Sequence, residues 1–99
     1  MTWEQVRKLA LSLPGVEDGK SYGTPALKVK KKLIVRLREE GDVIVLRMPF
    51  EEREAMMAEA PEKYFITDHY KDYEWILVRL PKVSEAEMRD LLKSAITRK

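Results

Sequence analysis

ALKVKKKLIVRLREEGDVIVLRM, residues 26–48, is the stretch that decides the fold. Leu27 and Val29 alternate with Lys28 and Lys30, the period-two pattern of a half-buried strand. Lys31-Lys32 reads as a tight turn, after which Leu33, Val35 and Leu37 alternate with Ile34, Arg36 and Arg38. Glu39-Glu40-Gly41-Asp42 is a second turn, in which the glycine accepts positive φ without steric cost. Val43 to Met48 is a third strand. Connections this short cannot cross over to a parallel neighbour, so the three strands form an antiparallel meander.

On the N-terminal side, Thr2 and Gln5 have the spacing of a capping box, and Val6, Leu9, Ala10 and Leu13 recur at helical intervals. This predicts a helix over 2–13, stopped by Pro14-Gly15. The Gly- and Pro-bearing segment that follows predicts a loop until about Ala26. On the C-terminal side, Pro49 fits a helix start, and Phe50, Met56 and Met57 supply an apolar side for a helix over 50–59 ended by Pro61. Glu51, Glu52 and Glu54 suit the positive end of that helix dipole. Tyr64–Thr67 predicts a short strand, Asp68–Asp72 a turn, and Tyr73–Leu80 a strand buried on both faces. Ser84 and Glu87 form a second capping box, and Met88, Leu91, Leu92, Ala95 and Ile96 give the last helix one apolar stripe. The order α-βββ-α-ββ-α predicts one α+β domain over 1–99, its antiparallel sheet covered by helices on one face.

Composition narrows the chemistry. The 99 residues are 44% hydrophobic and 36% charged, a globular balance. With no Cys and one His, a disulfide framework, a thiol nucleophile and a Cys- or multi-His metal site are all excluded. Apolar runs are far too short to span a membrane, and the N-terminus lacks a signal-peptide layout, so a cytoplasmic domain without membrane association is expected. No Gly-rich phosphate loop, nucleophile elbow or paired-His zinc motif is present. His69 lies in a turn between Asp68 and Tyr70 and reads as a solvated polar residue; the pairs Glu39/Glu40 and Glu51/Glu52 read the same way. The expectation is a non-enzyme without a cofactor or bound metal.

Charge is segregated along the chain. Residues 20–38 carry seven Lys/Arg and no acid, whereas 50–62 carry five Glu and one Arg. If Leu27, Val29, Leu33, Val35 and Leu37 face inward, Lys28, Lys30, Arg36 and Arg38 share the outer face of the hairpin, with Lys31 and Lys32 at its tip. Lys and Arg without interleaved aromatics favour phosphate contact over base stacking; the same pattern also serves a hairpin edge protected against aggregation. A second group, Tyr22, Thr24, Tyr64, His69, Tyr70, Tyr73 and Trp75, reads either as core aromatics with satisfied polar tips or as a groove with hydrogen-bonding rims.

Three stretches carry a resemblance: LSLPGVEDGKSYGTPALKV (11–29), LIVRLRE…GDVIVLR (33–47) and YFITDHYKDYEWILVRL (64–80), the last followed by a capped helix. In their order and spacing the chain resembles the MmcQ/YjbR family, also called the YjbR-like or DUF419 proteins. The resemblance implies a fold similar to CyaY and the type III secretion chaperones, and a double-wing DNA-binding domain. By position the first wing takes Lys28, Lys30, Lys31, Lys32, Arg36 and Arg38, and the second takes His69 and Lys71. It implies no catalytic residue. The likeness to CyaY also raises an acidic ridge for iron, here Glu51, Glu52, Glu54, Glu59 and Glu62, but Arg53 interrupts it and a solvated helix is the better reading. The leading expectation is therefore weak, backbone-dominated DNA binding. The alternatives are a protein-binding adaptor, marked by a broad exposed apolar patch or a stable dimer, and a small-molecule binder or uncatalogued enzyme using the Tyr22/His69/Trp75 region, where Tyr22, Thr24, Tyr73 and Trp75 would line the groove.

Overall fold

In the computed structural model, which describes residues 1–21 and 23–97, the chain runs α1 (Trp3–Leu11), β1 (Val16–Ser21), β2 (Thr24–Val29), β3 (Lys32–Leu37), β4 (Val43–Arg47), α2 (Phe50–Glu59), β5 (Tyr64–Phe65), β6 (Trp75–Arg79) and α3 (Glu85–Thr97). The six strands form one sheet in the order β1-β2-β3-β4-β6-β5, and every pairing is antiparallel. The α+β class and the order of elements are those read from the sequence, with one strand added in front. No helix among the described residues is long and apolar enough to cross a membrane.

The added strand replaces the loop predicted before Ala26. Val16–Ser21 carries charge and a glycine and buries none of its side chains, so it lacks the alternation that marks a strand. What makes it a strand is backbone pairing: all six residues lie opposite a partner in β2, from Val16 against Val29 to Ser21 against Thr24. Both predicted capping boxes form. At α1, Thr2 N donates to Gln5 Oε1 at 2.9 Å and Gln5 N to Thr2 Oγ1 at 3.3 Å. At α3, Ser84 N donates to Glu87 Oε1 at 2.9 Å and Glu87 N to Ser84 Oγ at 3.1 Å.

The sheet separates two apolar clusters. The larger contains Trp3, Val6 and Ala10 of α1, Met88, Leu91 and Leu92 of α3, and Leu27, Ile34, Val35, Ile44, Leu46, Ile76 and Val78 of the strands, with Met56 and Met57 of α2 at its margin. All three helices thus cover one face. The smaller lies on the other face, where Val43, Val45 and Leu77 are covered by Phe65, Tyr70 and Trp75.

The hairpin departs from strict alternation at one point. The register shifts between Leu27 and Lys28: Leu27 faces Val35, Lys28 faces Leu33, and Ile34 is the extra residue between them. Such a bulge puts two consecutive side chains on the same side. Ile34 and Val35 both enter the helix-side core. Leu33, expected inward, instead lines the opposite face beside Arg36 and Val45.

Candidate functional site

The two-residue loop between Val29 and Lys32 has Lys30 and Lys31 at its centre, one position earlier than the predicted Lys31-Lys32 turn. Both have positive φ, 51° and 68°. A two-residue hairpin wants this left-handed geometry because its twist matches that of the strands, and Asn-Gly ordinarily supplies it. Each lysine here carries a Cβ into that region, at a cost of roughly 1–2 kcal/mol per residue. The turn holds Lys30, Lys31 and Lys32 exposed at the tip of the hairpin. Lys28 follows on the open face of the sheet, its stem laid over Gly19; a Cβ at position 19 would lie 3.3 Å from Lys28 Cδ. Among the described residues, none of these four ammonium groups has an ion pair or a side-chain hydrogen bond.

The two arginines grouped with them differ. Arg36, only 7% exposed, does not present itself on the outer surface as expected. Its Nη1 donates to Thr24 Oγ1 at 3.2 Å and its Nη2 to Tyr70 Oη at 3.0 Å, with the Glu39 carboxylate 3.6 Å away. Arg38 pairs with Glu40 at 3.4 Å. A backbone amide, together with the Arg36 and Arg38 charges, holds the Glu39 carboxyl below its ordinary range. Of the six hairpin cations, then, Lys28, Lys30, Lys31 and Lys32 are without an ion pair among the described residues.

The segment expected as a second wing is a short turn of 3-10 helix, Asp68–Tyr70, with the chain to Trp75 folded over the open face. Arg53 of α2 fixes it there. The guanidinium is 3% exposed. Nη1 donates to the carbonyls of Tyr70 at 3.1 Å, Tyr73 at 2.7 Å and Trp75 at 3.3 Å, and Nη2 to that of Lys71 at 3.1 Å. Its Cζ sits 4.8 Å over the Phe50 ring, while Nε is buried without a hydrogen-bond partner among the described residues. In the sequence Arg53 is only a break in a run of glutamates. The available signal is its i, i+3, i+7 spacing with Phe50 and Met57, which sets it on the apolar side of the helix.

Between this loop and the strands lies a hollow of about 340 Å³. Leu33 and Val45 form its apolar floor with Arg36, and Tyr70, Tyr73 and Trp75 its walls; His69 reaches it too. His69 packs edge-on against Tyr70, ring centres 4.7 Å apart at 88°. Tyr73 is 59% exposed. A second hollow of about 330 Å³ adjoins, sharing Arg36, His69 and Tyr70 and adding Arg38 and Glu39. The aromatic group of the sequence is thus largely brought together, with Thr24 joined to it through Arg36. Tyr64 is not part of it: it is buried in the helix-side core, and burial pushes its phenol pKa up. Tyr22 lies outside the described residues. Lys71 is exposed on the loop and does not line the hollow; its carbonyl accepts from Arg53 Nη2. The glutamates of 51–62 do not converge; among the described residues no three His or acidic side chains are placed to hold a metal ion.

Three helices on one face of a six-stranded antiparallel sheet, with an arginine-floored hollow on the other, define an open-faced α+β sandwich. The chain belongs to the YjbR family, whose model matches residues 11–95. Deinococcus radiodurans protein DR2400, whose crystal structure is described by the domain DUF419, superposes with a TM-score of 0.80 at 18% identity, over 95% of this chain and 75% of that one. The uncharacterized protein Rv2570 of Mycobacterium tuberculosis is 26% identical over 109 aligned residues, covering 95% of this chain and 84% of the relative. Mb2600 of Mycobacterium bovis matches to the same extent.

Proposed function

We propose that this protein is a non-enzymatic nucleic-acid-binding domain that grips the phosphate backbone with the tip of the β2–β3 hairpin. One observation carries the reading. Lys28, Lys30, Lys31 and Lys32, without ion-pair partners among the described residues, lie on one hairpin whose strained Lys30-Lys31 turn presents its tip, while Arg36 and Arg38 lie against Glu39 and Glu40. Lysine ammonium groups of this kind suit a polyanion contacted along its backbone. The adaptor reading has less to rest on. Among the described residues only Phe50 and Tyr73 are large hydrophobics with substantial exposure, and they do not make a broad patch.

Fluorescence anisotropy with labelled random-sequence duplex DNA, taken from low to physiological salt, tests this. Each phosphate neutralised contributes about 0.9 to the log–log salt slope, so four lysines give a slope of about −3 to −4. Replacing Lys30, Lys31 and Lys32 together by Glu is expected to abolish binding without lowering the melting temperature. Absence of binding at low salt, or binding indifferent to the triple substitution, overturns the proposal.

A further inference from the structure

The hollow beside the hairpin calls for an occupant that is neither a bare anion nor an aliphatic chain. Leu33 and Val45 alone supply aliphatic lining, too little to favour an aliphatic ligand over an aromatic one. The Glu39 carboxylate, 3.6 Å from the Arg36 guanidinium, already offsets much of its pull on a free phosphate. What remains is ring surface. Tyr73 stands 59% exposed on the rim and Trp75 is half-buried beside it, so flat faces are offered to solvent above a cation. The Tyr70 hydroxyl accepts from Arg36 Nη2, which leaves its own proton for an acceptor that no described residue supplies. A planar ring with a carbonyl edge satisfies all of these at once.

The hollow also adjoins the cationic hairpin. Leu33, part of its floor, follows Lys32 in sequence and is the register partner of Lys28 on the same face. A strand whose phosphates rest on Lys28 and the tip would therefore carry its bases toward Tyr73 and Trp75. We infer that the hollow takes one unpaired nucleobase, and that the ligand of this chain is single-stranded nucleic acid held by backbone and base together. This rests on the nucleic-acid reading above, with the base contact added to it.

The test compares oligothymidylate with an abasic oligodeoxyribose phosphate of the same length and charge, by anisotropy at fixed salt. Stacking one base on an aromatic platform corresponds to roughly 5- to 100-fold in affinity, so oligothymidylate is expected to bind the intact protein tighter by that order. Trp75 is expected to be quenched by oligothymidylate alone, and Trp75→Phe to remove the quench, since Trp3 lies buried under the helices on the other face. Tyr73→Ala is expected to erase the difference between the two probes while leaving the abasic affinity unchanged, and Tyr70→Phe to reduce it without disturbing the fold. Equal, lysine-dependent affinities for the two probes sink the base site and leave the hairpin contact standing. A preference for bases that survives Tyr73→Ala also sinks it, because the base then sits elsewhere. Binding of neither probe at low salt sinks both readings.

Discussion

Lys30 and Lys31 hold a conformation that Asn-Gly adopts with little strain, and that choice sets stability against charge. Replacing the pair by Asn-Gly is expected to raise stability by about 1 kcal/mol, which in a domain of this size lifts the melting temperature by about 4–8 °C. The same variant is expected to lose salt-dependent affinity for DNA, since two of the hairpin's four lysine charges are gone. Calorimetry and anisotropy on one preparation check both halves. At this scale the lysines were plain in the sequence, because charge without intervening acid needs no fold to be noticed. Arg36 was misplaced, because whether it faces water or Tyr70 depends on what the loop 68–75 does, some 34 positions along the chain. Arg53 illustrates the same limit: its four carbonyl partners lie 17 to 22 residues away, and no local pattern announces them.

Among the elements, the terminal helix is anchored by a residue with two duties. Glu87 closes the capping box with Ser84 and accepts from Lys63 Nζ at 2.7 Å, tying α3 to the start of β5. The Lys63 hydrogen bond, and after it the Ser84 backbone amide, hold the Glu87 carboxyl below its ordinary 4.5. A carboxyl depressed in the folded state adds stability that is complete above its unfolded pKa and is lost as pH falls through the folded one. Lys63, raised above 10.5 chiefly by its hydrogen bond to Glu87, contributes below that value and loses its part as pH rises through the folded pKa. Glu87→Gln is therefore expected to be less stable than the parent at neutral pH, with the gap narrowing as pH drops below 4.5. Urea midpoints at a series of pH values measure it. Caps and stripes made α1, α2 and α3 legible because helix signals are local. β1 was not, because an exposed edge strand owes its form to the partner beside it and not to its own side chains. The bulge at Ile34 was hidden for a related reason: an extra residue in one strand shows only against the register of the other.

On the scale of the whole molecule, the two faces of the sheet have separate tasks. The helix side holds the larger core, and the open side presents a hollow whose outer wall is a loop. That wall is held to α2 by Arg53, through four carbonyls between Tyr70 and Trp75. A wall fastened at so many points behaves as a mould and not as a flap. Entry then has no gate to wait for. In stopped-flow mixing, the rate at which Trp75 emission decays is expected to climb in proportion to oligothymidylate concentration, without the plateau that an opening step imposes.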